Sequence, residues 1–172
     1  VQEEFDGSFT GLIEAADASA ERLAQLLIRM PFFNDAVLYD TVEVSFYKRA
    51  QLAAADLYVA FKGKGPGRFD DLQNLTIFAD NLVPHVLRVD NILIYPEALI
   101  SHIDAGKLIP AGSAAEIEIR ACALHAVERL KAALNASGHT ITSMELDFLL
   151  WNRGQQPTYK SIPRHRTRTI FY

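Results

Sequence analysis

The sequence predicts a mainly α-helical domain, and three features of the chain support this class. Apolar side chains recur at helical spacing, for example at Leu23, Leu26 and Leu27. Ser113 and Thr142 each stand three residues before a glutamate, which is the capping-box pattern at the start of a helix. Only the short runs VEV and ILIY are candidates for strands. We therefore expect a helical bundle that forms a single domain.

Capping residues, prolines and glycines divide this bundle into separate helices. Serine and aspartate side chains accept hydrogen bonds from the free amides of a first turn, proline is tolerated near a helix start, and glycine often ends a helix. The helices expected on this basis are 17–29 capped by Asp17, 46–61 capped by Ser45, 72–81, one that starts near Pro84, one from Pro96 to Gly106, 113–136 before Gly138, and one after Thr142.

The composition is that of an ordinary globular protein. Of the 172 residues, 49% are hydrophobic and 22% are charged, which is enough to bury a core. The apolar runs are too short to cross a bilayer. The net charge of −4 disfavours general nucleic-acid binding. The single cysteine, Cys122, fits a reducing, cytoplasmic compartment and is expected to be buried.

Positive charge is concentrated at the C-terminal end, after the last acid of the chain at Asp147. The cations there include His165, Arg166 and Arg168. A basic end on an acidic protein indicates a local anion site, and a solvated tail is the alternative. The chain closes with three apolar residues, Ile-Phe-Tyr, which favours docking of this segment over fraying.

Lys48 and Arg49 stand in the first turn of the expected helix 46–61, where the helix dipole disfavours cations. Free amides at a helix start bind anions, and adjacent cations strengthen such a site. The pair therefore indicates a site for a phosphate or a carboxylate. The alternative is an exposed pair whose partners lie elsewhere.

Asp80 lies within the apolar sequence TIFADNLVP. A carboxylate among apolar side chains is costly unless it is paired, and such groups concentrate in active sites. Asp80 is therefore a candidate to stabilise an oxocarbenium-like transition state during cleavage of a glycosidic bond, or to activate water. The alternative is an acid at the C-terminal end of a helix that pairs with a nearby arginine.

Other side chains are candidates for binding a planar ligand. Phe46, Tyr47, Phe78 and Trp151 could stack on a ring, although aromatic residues also fill protein cores. Asp56, in the alanine-rich helix, either contacts a base or a substrate amine or forms a structural salt bridge. These alternatives stay open from the residues alone.

Common nucleotide-binding and hydrolase motifs, such as the Walker loop, GxGxxG, HExxH and the serine nucleophile elbow, do not occur in the sequence. The chain nevertheless resembles the queuosine salvage protein family in four segments with matching order and spacing: SFYKRAQLAAADLYVAF, LTIFADNLVP, AGSAAEIEIRA and HRTRTIFY. The resemblance runs from FDGSF to Tyr172. It implies a fold like that of helix-hairpin-helix DNA glycosylases, and the run LIPAGSAAE resembles the turn of such a hairpin.

The resemblance implies hydrolysis of queuosine 5′-monophosphate to queuine, a 7-deazaguanine base, and ribose 5-phosphate. Another enzyme can then insert queuine into tRNA. Neither a metal nor an organic cofactor is implied, and neither a membrane nor a stable nucleic-acid partner is expected. Family members are about twice as long, so residues 1–172 are expected to be a C-terminal portion, with an N-terminal portion as a candidate partner.

The resemblance also implies roles for individual residues. Asp80 matches the acid of the family motif and is the expected catalytic carboxylate, with Lys48 near the ribose or the phosphate. The candidates for phosphate binding are Arg49, His165, Arg166 and Arg168. The candidates for walls of the base site are Phe46, Tyr47 and Trp151. Asp56 is expected to contact a polar edge of the base.

The chain departs from the family at one motif and leaves other functions open. Family members commonly read Phe-Ala-Asp-Tyr-Arg-Val-Pro-Gln, whereas this chain has Asn81, Leu82 and His85 in place of Tyr, Arg and Gln. The first alternative to an N-glycosidase is a non-catalytic module that binds nucleotides or nucleic acid through its basic segments. The second is a chain that is inactive without a further portion.

Overall fold

The computed structural model describes residues 4–172 and consists mainly of α-helices, which confirms the expected class. The helices are α1 (Phe9–Ala15), α2 (Ala20–Leu27), α3 (Lys48–Phe61), α4 (Leu82–Val89), α5 (Glu97–Asp104), α6 (Ala114–Ala136), α7 (Ser143–Arg153) and α8 (Pro157–Lys160). The strands β1 (Ala36–Tyr39) and β2 (Val42–Ser45) form an antiparallel hairpin. None of the described helices is both long enough and apolar enough to span a membrane.

The helix expected from Asp17 starts later and has a different cap. Asp17 lies in the loop after α1 with a positive φ of 51°, and α2 begins only at Ala20. Ser19 is the N-cap, because its side chain accepts a hydrogen bond from the amide of Arg22. Asp71 stabilises the same turn from a distant part of the chain, since its carboxylate accepts the amide hydrogen of Ala20.

The expected cap at Ser45 is wrong, because this residue belongs to strand β2. Helix α3 begins only at Lys48, after Tyr47 in the left-handed conformation with a φ of 47°. Within residues 4–172 no side-chain hydrogen bond caps α3, although Ser, Thr or Asp side chains usually cap a helix start. The amide of Phe46 donates to the carbonyl oxygen of Asp35 at 2.9 Å, and this bond holds the transition from strand to helix.

The prediction of a helix from Leu72 to residue 81 is wrong. Its first residues form only a short 3₁₀ turn, and the residues after that turn have no regular secondary structure. The backbone amides of this segment donate hydrogen bonds to side chains of distant elements. Gln51 accepts the amide hydrogen of Thr76, and Asp147 accepts that of Phe78, both at 2.9 Å. These tertiary bonds replace the hydrogen bonds that a helix would supply.

The starts of the later helices follow the sequence prediction. Pro84 lies in the first turn of α4, and Pro96 directly precedes α5. Thr142 and Glu145 form a complete capping box at α7, in which each side chain accepts a hydrogen bond from the other residue's backbone amide. These starts depend on contacts within one turn, which is why the local sequence predicts them.

The core consists mainly of two clusters of apolar side chains. One joins α1, α2 and α3, and the other joins α4, α6 and α7. The segment before α4 runs between them, because Phe78 packs in the first cluster whereas Ile77 and Ala79 pack in the second. Asp80 therefore follows directly on a segment that is buried on both sides. Cys122 of α6 is exposed, which contradicts its expected burial.

Candidate active site

A cavity of about 400 Å³ lies where α3, α7 and the segment before α4 meet. Its lining comprises the polar residues Lys48, Asp80, Asp147 and Asn152 and the apolar residues Leu52, Phe78, Phe148 and Trp151. Four of the residues proposed from sequence are thus brought together: Lys48, Phe78, Asp80 and Trp151. A concave site with apolar walls and a few convergent polar groups is the usual form of a small-molecule site.

Asp80 enters the cavity from the N-terminal end of α4. Its Oδ1 accepts the amide hydrogen of Leu82 at 2.7 Å and that of Val83 at 3.4 Å. These bonds hold the carboxylate and place its negative charge at the positive end of the helix dipole. The alternative interpretation, an acid at a helix C-terminus that pairs with an arginine, is therefore wrong.

The structure separates the two cations at the start of α3. Lys48 lines the cavity and also an adjoining groove of about 510 Å³. Arg49 lines only the groove, where its Nη1 donates to the carbonyl oxygen of Ile170 at 3.0 Å and its guanidinium lies 5.5 Å from the centre of the Phe33 ring. Asp56 also lies in the groove and not in the cavity.

Asp147 is a cavity residue that the sequence analysis did not select. It is only 4% exposed, and its Oδ1 accepts the amide hydrogen of Phe78 at 2.9 Å. Burial raises the pKa of Asp147 to about 7; the Phe78 amide opposes this shift, Asp80 adds to it, and Lys48 opposes it. One signal was available in the sequence, because Asp147 lies one helical turn before Trp151 and so shares its face of the helix.

Three aromatic side chains form the apolar wall of the cavity. The rings of Phe78 and Phe148 are 6.1 Å apart between centroids and tilted by 58°. Phe78 is almost fully buried, whereas Trp151 is 45% exposed and lies at the rim. Tyr47 does not contribute to this wall, because it lines a separate groove beside α2. The wall therefore has a fixed inner part and an accessible outer ring.

Phe46 is not a wall of the cavity either, because it packs against a buried ion cluster. We name this cluster, which consists of Asp35, Glu116, Arg120 and Tyr172, the Arg120 cluster. The guanidinium of Arg120 lies 3.9 Å from the centre of the Phe46 ring on one side and 4.8 Å from that of Tyr172. Its Nη1 donates to Asp35 and to Glu116, both at 3.1 Å. Phe46 is thus a core residue with a cation–π contact.

The Arg120 cluster also supports the segment that carries Asp80. Arg120 Nε donates to the carbonyl oxygen of Ala79, the residue before Asp80, at 2.9 Å. The expected capping box at α6 is only half formed. Ser113 accepts the amide hydrogen of Glu116, but the Glu116 carboxylate accepts from Arg120 and from the amide of Gly112, while the amide of Ser113 donates to the carbonyl oxygen of Pro110.

The C-terminal cations lie outside the cavity. His165 is almost fully buried, and burial lowers the pKa of His165 to about 4, so its ring is neutral at pH 7. Arg166 donates to the carbonyl oxygen of Gly106 and lines a second cavity of about 560 Å³. Arg168 is exposed. His165, Arg166 and Arg168 are therefore not positioned to bind a phosphate beside Asp80.

The C-terminal segment is nevertheless docked, as its apolar end predicted. The amide of Ile109 donates to the carbonyl oxygen of Arg166 at 2.9 Å, and the Tyr172 hydroxyl donates to Glu116 at 2.8 Å. Two of the residues that depart from the family motif, Leu82 and His85, line the second cavity and not the cavity of Asp80. Among the described residues, no group of His, Cys, Asp and Glu side chains is arranged to hold a metal ion.

Comparisons with known proteins give one consistent result. A family model described as queuosine salvage protein matches residues 1–172. A protein of Sphaerobacter thermophilus named queuosine 5′-phosphate N-glycosylase/hydrolase is 46% identical over 171 residues, which are 99% of this chain and 53% of that protein. Proteins of the same name from Dictyostelium discoideum and Mus musculus are 39% and 34% identical, again over 99% of this chain and 53% of theirs. The chain thus spans about half the length of these relatives.

Proposed function

The chain belongs to the queuosine salvage protein family, and on that premise we propose that its cavity hydrolyses the N-glycosidic bond of queuosine 5′-monophosphate. The products are queuine and ribose 5-phosphate, and queuine becomes available for insertion into tRNA. One observation supports this proposal: Asp80 and Lys48 line the same cavity as three aromatic side chains. A carboxylate can stabilise the positive charge that develops on the sugar, and an aromatic wall can stack on a planar base.

The shape of the site suggests how the nucleotide lies in it. The base stacks against Trp151 and the Phe78–Phe148 pair, because these rings form the apolar end of the cavity. The phosphate points towards the groove, where Lys48 and Arg49 carry positive charge. Lys48 lines both spaces, so in this arrangement it is within reach of both the sugar and the phosphate. This arrangement leaves the sugar carbon C1′ facing Asp80.

Asp80 is the catalytic carboxylate of this proposal. As the bond to the base breaks, positive charge develops on C1′ and the ring oxygen of the ribose. The Asp80 carboxylate stabilises this charge, and its bonds to the amides of Leu82 and Val83 hold it in place without reorganisation. Water then adds to C1′ in place of the base.

Three broader features belong to the same proposal. The α5–turn–α6 unit, in which Gly112 precedes the Ser113 cap, supports a fold related to helix-hairpin-helix DNA glycosylases. The net charge of −4 supports a small nucleotide as the ligand and not a stable nucleic-acid partner. The single cysteine supports a cytoplasmic location, where thiols stay reduced.

The test is release of the free base. The protein is incubated with queuosine 5′-monophosphate, and queuine is measured by mass spectrometry. The assay uses both this chain and a longer polypeptide that covers the length of the relatives. We expect Asp80→Asn to lower the rate at least about 100-fold while its circular dichroism stays native. Asp104→Asn, a change of the same kind at an exposed site of α5, should keep the rate within about twofold.

Two results would contradict the proposal. No release by either polypeptide would remove the hydrolase function. Full activity of a folded Asp80→Asn variant would remove Asp80 from the mechanism.

A further inference from the structure

The second cavity, of about 560 Å³, has no part in the proposed function. It lies where α4, α5 and α8 meet the C-terminal segment, and none of the residues that line it also lines the cavity of Asp80. Small-molecule sites usually have a volume of roughly 300–1,000 Å³, and this cavity falls within that range. It is therefore a candidate for a second binding site of the protein.

The lining of the second cavity carries positive charge. Three cations line it, from Lys160, Arg164 and Arg166. Asp104 contributes one carboxylate, so the net charge of the lining is +2 with its histidine neutral. The cavity of Asp80 differs, because it has two carboxyl groups and one lysine. A concave surface lined by one sign of charge attracts ligands of the opposite sign, so the second cavity favours an anion.

Two of these cations have no partner of their own. Among residues 4–172, the side chains of Lys160 and Arg164 form neither an ion pair nor a hydrogen bond. The third cation holds the wall of the cavity, because the Arg166 guanidinium donates to the carbonyl oxygen of Gly106 and the Arg166 carbonyl oxygen accepts the amide hydrogen of Ile109 at 2.9 Å. The wall thus forms without Lys160 and Arg164, whose charges stay available to a ligand.

His85 is a buried side chain of the same cavity that uses only one of its two ring nitrogens. It is 2% exposed and lines the cavity. Its Nε2 lies 2.8 Å from the carbonyl oxygen of Tyr159 and must donate there, because a carbonyl oxygen only accepts. Its Nδ1 is buried and has no hydrogen-bond partner among the described residues. Buried polar atoms normally find a partner, so Nδ1 is available to a ligand.

Two further buried atoms near His85 are unpartnered within the described part of the chain: Nη1 of Arg88 and Nε2 of His165. Burial lowers the pKa of His165, and the charges of His85, Arg164 and Arg88 lower it further, because these groups are its neighbours. Arg88 also joins α4 to the C-terminal segment, since its Nη2 donates to the carbonyl oxygen of Pro163 at 2.8 Å. Three unpaired atoms in one region indicate a polar group that the described residues do not supply.

We propose that the second cavity binds a small molecule that carries a phosphate group, with Lys160 and Arg164 on the phosphate oxygens and His85 at the buried end of the site. This inference does not depend on the proposed hydrolase function. The volume of the cavity leaves space for the organic part of such a molecule, and the apolar side chains of Leu82 and Ile162 line that space.

A phosphate monoester fits this lining better than a carboxylate does. It carries nearly two negative charges at pH 7 and presents three acceptor oxygens, whereas a carboxylate carries one charge. The two cations without partners, Lys160 and Arg164, match a dianion, and both can form charge-assisted hydrogen bonds to it. The net charge of the lining is then balanced when the ligand is bound.

Binding of a dianion should favour the protonated form of His85. Burial lowers the pKa of His85, the Tyr159 carbonyl oxygen opposes this shift, and Arg88 and Arg164 add to it, so the ring is neutral at pH 7. A nearby dianion opposes these effects, and in the protonated ring Nδ1 becomes a donor to it. Affinity should therefore rise as pH falls. The other titratable or charged groups around the cavity are Lys160 of α8, Asp104 of α5, and His165 and Arg166 of the C-terminal segment.

The test is a titration of the full-length protein with ribose 5-phosphate, followed by NMR of the histidine rings. The signal of His85, assigned from its loss in His85→Gln, reports on the second cavity and not on the cavity of Asp80. We expect a saturable shift of this signal, and ribose without the phosphate should produce none. The double variant Lys160→Gln, Arg164→Gln should raise Kd at least about tenfold, because it removes two charge-assisted bonds.

The matched control is Arg129→Gln, which removes one positive charge from an exposed position of α6. It should change Kd by less than about twofold, because this charge lies far from the cavity lining and is screened by salt. The single variant Arg164→Gln, compared with Arg129→Gln, removes the same charge from the cavity and should raise Kd several-fold.

Sulfate supplies a second measurement, because it stays a dianion between pH 6 and pH 8. Its binding is followed by the amide signal of Gly106, which lines the cavity and is present in every variant. Affinity should be at least about threefold higher at pH 6 than at pH 8 in the native protein. His85→Gln should lack this dependence on pH.

Several outcomes would overturn the inference. The absence of a His85 shift with ribose 5-phosphate would mean that water alone satisfies the unpaired atoms. An equal shift with ribose, or an equal rise of Kd in Arg164→Gln and Arg129→Gln, would remove the phosphate site. The same pH dependence in native protein and His85→Gln would remove His85 from it. A failure of the native protein to release queuine would remove the proposed function but would leave this inference intact.

Discussion

The Arg120 cluster and the Asp80 cavity both contain buried charged groups. Only in the cluster are these groups paired with hydrogen-bonded partners of opposite charge. In the cluster, the Arg120 guanidinium bonds two carboxylates and a carbonyl oxygen and contacts two aromatic rings. In the cavity, Asp147 receives a single amide hydrogen from the residues that the structure describes, and Lys48 acts on it through its charge. The comparison teaches that a buried ion with its partners in place holds the fold, whereas one that lacks them and faces a cavity is available for chemistry.

The largest expected effect comes from breaking the Arg120 cluster. Arg120→Met should lower the free energy of unfolding by about 3–5 kcal/mol, because it leaves the carboxylates of Asp35 and Glu116 buried without their cation. Urea unfolding measures this change. Arg129→Met, at an exposed position of the same helix, should change stability by less than about 0.5 kcal/mol. Equal effects of both substitutions would contradict the compensation described for the cluster.

Asp147 should show the opposite effect, a gain of stability on substitution that depends on pH. Its pKa is raised from 3.8 to about 7, so the folded state binds more protons than the unfolded state between these values. The contribution of Asp147 to stability therefore falls as pH rises through this window. Asp147→Asn keeps the acceptor for Phe78 and removes the cost of burying a charge, so it should stabilise the protein by about 2–4 kcal/mol at pH 8.

At pH 4 most of this gain should be absent, because the wild-type carboxyl group is then protonated in the folded state. Thermal unfolding at both pH values measures the difference. The matched control Asp104→Asn, at an exposed site, should show no comparable dependence on pH. A gain of equal size at pH 4 and pH 8 would mean that the raised pKa of Asp147 does not cause it.

A smaller effect is expected at the edge of the Arg120 cluster. Tyr172→Phe keeps the ring over Arg120 and removes only the hydroxyl group that donates to Glu116 at 2.8 Å. A lost hydrogen bond to a charged group should cost about 2 kcal/mol. Urea unfolding compared with Tyr58→Phe, on the exposed side of α3, isolates this contribution. A cost at Tyr172 no greater than that at Tyr58 would show that Glu116 is satisfied without it.

The smallest effect should occur at the rim of the cavity. Trp151 is 45% exposed, so Trp151→Ala should hardly change stability. It should raise KM for the nucleotide about tenfold, because stacking of a base on an aromatic ring contributes about 1–3 kcal/mol. Steady-state kinetics measure KM and kcat separately. Leu149→Ala, at an exposed apolar position of the same helix, is the control, and an equal rise of KM in both variants would exclude specific stacking.

The sequence predicted features that depend on neighbouring residues and failed where distant side chains decide the structure. The caps at Ser113 and Thr142 were found because each involves contacts within one turn. The helix predicted after Leu72 does not form. The amides of this segment instead bond Gln51 and Asp147, which lie far away in the sequence. No local pattern contains that information.

The candidate site also combines residues that the local sequence reveals with residues that only the fold reveals. Asp80 stood out because a charge inside an apolar run is anomalous at the level of the sequence. Asp147 was missed although it also interrupts an apolar run, because its importance comes from the cavity that α3 completes. His165, Arg166 and Arg168 are phosphate candidates because of their charge and their place in the family motif HRTRTIFY, and neither shows which surface a docked segment faces.

The most direct test of the central claim is to observe the substrate in the cavity while chemistry is blocked. The chain has one tryptophan, Trp151, so its fluorescence reports on this site. Asp80→Asn is titrated with queuosine 5′-monophosphate, and base release is followed in the same sample. We predict saturable quenching with the affinity of the native protein and no detectable queuine. Absence of quenching in a folded variant, beside base release by the native chain, would mean that hydrolysis occurs elsewhere and would contradict this account.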